Sequence, residues 1–203
     1  MELVPFGDLC TMSGRNADYT HTSDFVDQCE GIIVLTPSNI RDEKVFYDDV
    51  VYLSKNTFNK NNTGIVNKGD ILLSKYAKSE SPYRSALVDN LPDDATVIVN
   101  QSIFVISGIK CVPKYLQQVI TSYSFQKALH SIATGSMGAV KSSEIAKIMV
   151  PFLDEEEQMR IADMFIDYKY KHFELIDLLQ REIDDRNKVF EQLLDNMIWE
   201  KIR

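Results

Sequence analysis

Short apolar runs separated by polar turns dominate the first three quarters of the chain, and a single unbroken helical period dominates the rest. Residues 31–36 form a compact β-branched run that predicts a buried strand, with a turn at Pro37, Ser38 and Asn39 behind it. Residues 50–53 predict a second strand. Residues 56–62, rich in Asn and Lys, predict an exposed loop. Asn67, Lys68, Gly69 and Asp70 read as a turn that launches a strand over 71–74, and residues 76–85, polar and holding Pro82, read as a loop. Strands follow at 86–88 and 96–99 around the turn at Pro92, Asp93 and Asp94, and the sheet continues over 103–106. Apolar residues at Leu116, Val119, Ile120, Tyr123, Leu129 and Ile132 then suit one amphipathic helix over 114–131, packed on the sheet. Residues 133–138 predict a flexible link, and Ser142 or Ser143 a cap for a short helix. The expected fold class is α+β, a mixed sheet with packed helices followed by one long helix.

That helix begins after Pro151, with Asp154 as its expected N-cap and Glu155, Glu156 and Glu157 complementing the dipole of its first turn. From Asp154 to Lys201 there is neither Gly nor Pro. Apolar and semi-apolar residues recur at Ile161, Phe165, Tyr168, His172, Leu175, Leu179, Ile183, Arg186, Phe190, Leu193 and Met197. The steps alternate between four and three residues, with a phase shift from Leu179 to Ile183, as in a coiled-coil seam. At about 1.5 Å per residue the helix is roughly 70 Å long. A stripe of that length needs a partner helix, most simply that of a second copy. The predicted domains are 1–152, a mixed unit, and 153–203, a pairing helix.

Charge narrows the partners. The chain carries a net charge of −8, which by itself speaks against nucleic acid, since phosphates are neutralised by Lys and Arg. The distribution changes that picture. Residues 54–84 hold Lys55, Lys60, Lys68, Lys75, Lys78 and Arg84 against Asp70 and Glu80, and residues 107–147 hold Lys110, Lys114, Lys127, Lys141 and Lys147 against Glu144. These segments, each of net charge +4, allow local basic surface within an acidic chain; the plainer reading of the same lysines is scattered solubilising charge. No apolar stretch is long enough to span a membrane, no signal peptide is expected at the start, and Cys10, Cys29 and Cys111 read as reduced thiols of a cytoplasmic protein.

Catalytic motifs are missing. There is no phosphate-binding GxxxxGK[ST] or GxGxxG loop and no GxSxG elbow, and His21, His130 and His172 lack ligand spacing. The nearest candidate is the acid-x-x-lysine spacing of Glu144 and Lys147, which lacks a suitably placed upstream carboxylate. The chain is expected to have no cofactor, no metal and no catalysis of its own.

The order of the pieces resembles a known family. Residues 9–14, Ile40 after its turn, the Lys68 to Ser74 segment, residues 99–101, the helix opening at Pro113, Lys114, Tyr115 and Leu116, residues 133–136, and residues 148–151 followed by Glu156, Glu157 and Gln158 are together similar to the target-recognition domain and spacer helix of type I restriction–modification specificity subunits. No single piece is specific; the ordered set is. A usual subunit of that family carries two such domains and two helices, whereas one of each is present in this sequence. The resemblance implies a homodimer joined through its helices that reads a bipartite palindromic site on double-stranded DNA. It implies modification subunits that carry the methyltransferase chemistry, and through them a motor-endonuclease subunit, in phage defence. The second reading is a regulator that binds modification subunits without reading a site. Expected DNA contacts, needing donors on loops and cations around them, are Asn56, Asn59, Lys60, Asn61, Lys75, Lys78, Ser81, Arg84, Gly135, Ser136 and Lys141.

Overall fold

The computed structural model describes residues 2–14, 26, 31–60, 63–78 and 81–200, with the side chains of 59, 60, 170, 173 and 195–200 left aside. Asn61, His21 and Cys29 lie outside the described residues, as do the side chains of Asn59, Lys60 and Met197.

Alternation along residues 31–35 places that strand between two cores, since successive side chains point to opposite faces. Ile33 and Leu35 join Leu72, Ala86, Val97, Val99, Ile103 and Val105 in the main cluster. Ile32 and Val34 turn to the other face, with Leu53, Ile98 and Phe58. The strand, β3 (Gly31–Leu35), pairs antiparallel with β6 (Val51–Ser54) and parallel with β9 (Val97–Val99). A second, antiparallel sheet has the order β2 (Cys10–Gly14), β10 (Ile103–Gly108), β7 (Ile71–Ser74), β8 (Ser85–Leu87). Its register sets Val105 against Leu72 and Leu72 against Ala86, three members of the main cluster. The turn before β7 is held by Asp70, whose buried carboxylate accepts from the Asn67 amide at 2.7 Å and from the Ser107 hydroxyl at 2.6 Å. Two small pairs complete the strands, the hairpin of β4 (Ile40–Arg41) with β5 (Lys44–Val45) and the pair of β1 (Glu2–Pro5) with β11 (Met149–Phe152).

Three expectations change. Residues 56–62 were expected as a loop, but α1 (Lys55–Lys60) occupies most of that segment. Ser54 accounts for this: its Oγ accepts from the Thr57 amide at 3.2 Å, capping the first turn, while Phe58 packs beneath. Ser54→Ala is expected to cost about 1 kcal/mol in urea unfolding, the usual worth of a cap; an unchanged midpoint would remove that role. The helix expected over 114–131 is two helices, α2 (Pro113–Thr121) and α3 (Tyr123–Ile132). Ser122 is extended between them, donates its hydroxyl to the Val119 carbonyl at 2.7 Å and accepts from the Phe125 amide at 3.3 Å. In one continuous helix Phe125 and Leu129 would face away from Leu116 and Ile120; the break lets all four be buried. The short helix α4 (Ser142–Ile145) starts from Lys141 with no side-chain cap, in place of the Ser142 or Ser143 expected.

By contacts the chain divides into two compact units, Met1–Met159 and Arg160–Arg203. The first includes the opening of α5 (Glu155–Glu200), where Asp154 Oδ1 accepts from the Glu157 amide at 2.9 Å, the expected cap. Gln158 is buried and ties that opening down, accepting from the Val112 amide and donating to the Leu153 carbonyl, both at 2.8 Å. The second unit is the remainder of α5. Along it Phe165, Tyr168, Leu175, Leu179, Ile183, Phe190 and Leu193 are exposed on one stripe, and Tyr168 and His172 stack their rings at 6.1 Å. Because of the extra residue at Ile183, the mean step along the stripe is about 3.6 residues, so it runs straight up an unsupercoiled helix. Arg186, on the same stripe, is paired with Glu182 of its own helix at 2.7 Å.

Candidate nucleic-acid interface

The strand β7 does not stop the chain at Ser74. The backbone runs on beside residues 134–140: the Val140 amide donates to the Lys75 carbonyl at 3.0 Å, and Tyr76 bridges Ala139. Residues 134–139 themselves close into a turn. The Thr134 amide donates to the Ala139 carbonyl at 2.8 Å, and the Ala139 amide to the Thr134 carbonyl at 2.9 Å. Gly135 and Gly138 take left-handed backbones, φ +72° and +60°. The expected flexible link is therefore a pinned turn. Buried Tyr83 pins it further, donating its hydroxyl to the Gly138 carbonyl at 2.7 Å while its ring leans on His130. One edge of the first unit thus gathers Lys75, Lys78, Gly135, Ser136 and Lys141.

Lys75 differs from the other cations of this edge. Its Nζ sits 4.6 Å from the centre of the Phe104 ring. A Cβ added to Gly14 would lie 3.3 Å from that nitrogen, so the lysine tip packs close against the Gly14 backbone. Burial lowers its pKa below the ordinary lysine value. Among the described residues no carboxylate pairs with Lys75, Lys78 or Lys141. Lys78 and Lys141 are exposed, as is Ser81, whose amide donates to the Lys78 carbonyl at 3.0 Å.

Of the remaining expected contacts among the described residues, the Arg84 side chain turns to other partners and Asn56 lies on another element. Arg84 reaches the Pro37 carbonyl at 3.0 Å and lines a cleft of about 470 Å³ with Arg41, Asp42, Glu43, Ser85 and Thr121. Arg41 there is ion-paired with Asp48 and lies over Phe46. Asn56 is exposed on α1, which packs on β6 and β3 of the other sheet. Two exposed residues of the edge escaped the sequence reading, Tyr76 and Met137. The signal for Tyr76 was its place between Lys75 and Lys78, an aromatic interleaved with cations.

Three described residues of types used in catalysis, Glu144, Cys10 and Cys111, are held in other roles. Glu144 is ion-paired with Lys147 at 2.8 Å on α4. Burial pushes the thiols of Cys10 and Cys111 up to about 12, which keeps them protonated and poor nucleophiles. Among the described residues no three His, Cys, Asp or Glu side chains are grouped to hold a metal, and no helix is long and apolar enough to cross a membrane.

Comparison with known proteins gives a consistent result. The sequence matches the family described as type I restriction modification DNA specificity domain over residues 1–184. No curated protein matches it. Among solved structures it is similar to the HsdS subunit from Thermoanaerobacter tengcongensis, with 12% identity and a TM-score of 0.59 over 84% of this chain and 37% of that one. A chain from a study of complex assembly and conformational transition in the type I R-M system gives 15% identity and a TM-score of 0.67, over 94% of this chain and 43% of that one. The type I restriction–modification S subunit from M. genitalium gives 11% and 0.54, over 88% and 41%. The chain spans less than half the length of each. At these identities the likeness is one of fold: a mixed α+β domain with a long C-terminal helix.

Proposed function

This chain belongs to the type I restriction–modification DNA specificity family, and on that premise we propose that residues 1–152 are a target-recognition domain for double-stranded DNA and residues 153–203 a helix that pairs with a second copy. The observation that carries the reading is the edge at Lys75, Lys78, Gly135, Ser136 and Lys141: cations without carboxylate partners among the described residues, mounted on hydrogen-bonded backbone. Base readout needs side chains held in fixed positions, and phosphate contacts need cations around them. Two identical readers related by a twofold axis address an inverted repeat with an unread gap, a bipartite palindrome. Methyl transfer and cleavage then belong to partners, the modification subunits and, through them, a motor-endonuclease subunit, and the chain works in the cytoplasm without a cofactor. Asn56, Asn59, Lys60, Asn61, Ser81 and Arg84 are carried in this reading as further expected contacts.

The test is recovery of the assembly from cells with its bound DNA, followed by titration of the recovered sequence over a range of salt. An enriched inverted repeat together with a methyltransferase subunit is the expected outcome. Lys78→Gln and Lys141→Gln should each flatten the dependence of log affinity on log salt by about two units, about one from each copy, alike for all sequences. A methyltransferase subunit with no enriched sequence would replace the reader with a regulator of modification subunits, a result the net charge of −8 would suit.

A further inference from the structure

The edge proposed above to meet DNA carries a side chain that phosphate contact does not explain. Met137 occupies the turn closed by Thr134 and Ala139, and it is 66% exposed. The turn is fixed around it. The paired hydrogen bonds between Thr134 and Ala139 close its base, the Tyr83 hydroxyl holds the Gly138 carbonyl, and Gly138 sits so near Ala77 that an added Cβ would fall 2.4 Å from the Ala77 carbonyl oxygen. A thioether has no proton to offer a phosphate, yet it stands on the same edge as three lysines that do. Tyr76, 41% exposed on the neighbouring segment, bridges Ala139 at the base of the same turn. Charge complementarity selects DNA as the occupant of this edge, and an apolar tip then has two apolar targets on a duplex, the thymine methyl group in the major groove and the face of an unstacked base. A turn closed by the single bridge between Thr134 and Ala139 is narrower than the two-stranded ribbon that the major groove admits without unstacking of the duplex.

We propose that Met137 is a specificity-determining residue that reads an A·T pair by contact with the thymine methyl group, the lysines around it supplying the phosphate contacts. The inference rests on the DNA-recognition reading. Methionine suits the task, being unbranched and polarisable, so it settles on a methyl group without strain. The pinned turn keeps the ordering cost of binding low.

The experiment begins with selection of binding sites from a random duplex library by the full chain in its native assembly. Single thymines of the recovered site are then replaced by deoxyuridine, which deletes only the methyl group. At one position per half-site this should weaken wild-type binding about fourfold, the worth of one buried methyl-sized group. Met137→Ala should weaken specific binding about tenfold, leave the salt slope unchanged and abolish the uracil effect at that position, while Met137→Leu should keep it. A site without any A·T pair, or a uracil effect undiminished in Met137→Ala, overturns the inference while leaving DNA recognition standing. A wild-type chain that selects no sequence overturns the recognition reading and this inference with it.

Discussion

Leu179→Asp and Phe190→Asp are each expected to leave the chain monomeric at concentrations where the wild type is paired. Leu179 is 50% and Phe190 65% exposed on α5, on a stripe of apolar side chains that water covers when the helix stands alone. Pairing with a second copy would remove that stripe from water. An aspartate there must be dehydrated or protonated on pairing, and a twofold axis places the change in both chains at once. The expected loss is about a hundredfold in association, since each tenfold is worth about 1.4 kcal/mol and a buried unpaired charge costs several. Sedimentation equilibrium reads the effect directly. Circular dichroism separates it from loss of the helix, because a single aspartate reduces helix propensity by well under about 1 kcal/mol. Lys188→Glu, on a side chain 73% exposed and away from the stripe, should associate like the wild type. Dimers from both aspartate variants would mean that the stripe is not the pairing surface. The monomers, if obtained, should still bind a half-site, with affinity for the full palindrome lost along with the linkage between readers.

What the sequence revealed followed how local each signal was. The strands β3 and β9 were legible because short β-branched runs between turns have few alternatives, and β7 because a strong turn signal at Asn67 to Asp70 precedes a short apolar run. The cap at Asp154 and the stripe along α5 were legible because helix starts and periods are written within a few residues of themselves. The pairing of β1 with β11 was not, since it joins the two ends of the first unit and neither run shows the alternation of a half-buried strand. At α1 the polar composition outweighed two quiet signals, the cap at Ser54 and the lone anchor Phe58. The division at Ser122 was written in the phase of Phe125 and Leu129 against Leu116, and it disappears when apolar positions are counted without regard to which side they face. The site divided in the same way. Lys75, Lys78, Gly135, Ser136 and Lys141 meet on one edge, whereas Arg84 lies at the cleft beside Arg41, and Asn56 on the other sheet. Met137 went unnoticed because it fell in the expected flexible link of 133–138, and only the fold shows that segment pinned with Met137 exposed on it.

Gly138→Ala is expected to damage the edge proposed to meet DNA far more than Gly135→Ala, although both glycines hold left-handed backbones in one turn. At Gly135, φ +72°, no atom lies within 4 Å of an added Cβ, so the cost is the left-handed conformation alone, about 1–2 kcal/mol. At Gly138, φ +60°, the same methyl group would meet the Ala77 carbonyl oxygen at 2.4 Å and the Tyr83 hydroxyl at 3.4 Å. The turn can accept it only by separating from the segment that carries Lys75 and Lys78, giving up the bond from Tyr83 and loosening the Val140 to Lys75 pairing. With strain and a lost buried hydrogen bond together, about 3–4 kcal/mol is expected in chemical denaturation. The functional loss should be larger than the loss of stability suggests. A turn that no longer docks cannot hold Met137 and Lys141 in register with Lys75, so sequence preference should fall towards the level of non-specific binding under conditions where most molecules remain folded. Gly135→Ala should keep the recovered sequence with a modest loss of affinity. Equal effects of the two substitutions on stability and on selectivity would show that the docking of this turn does not organise the edge.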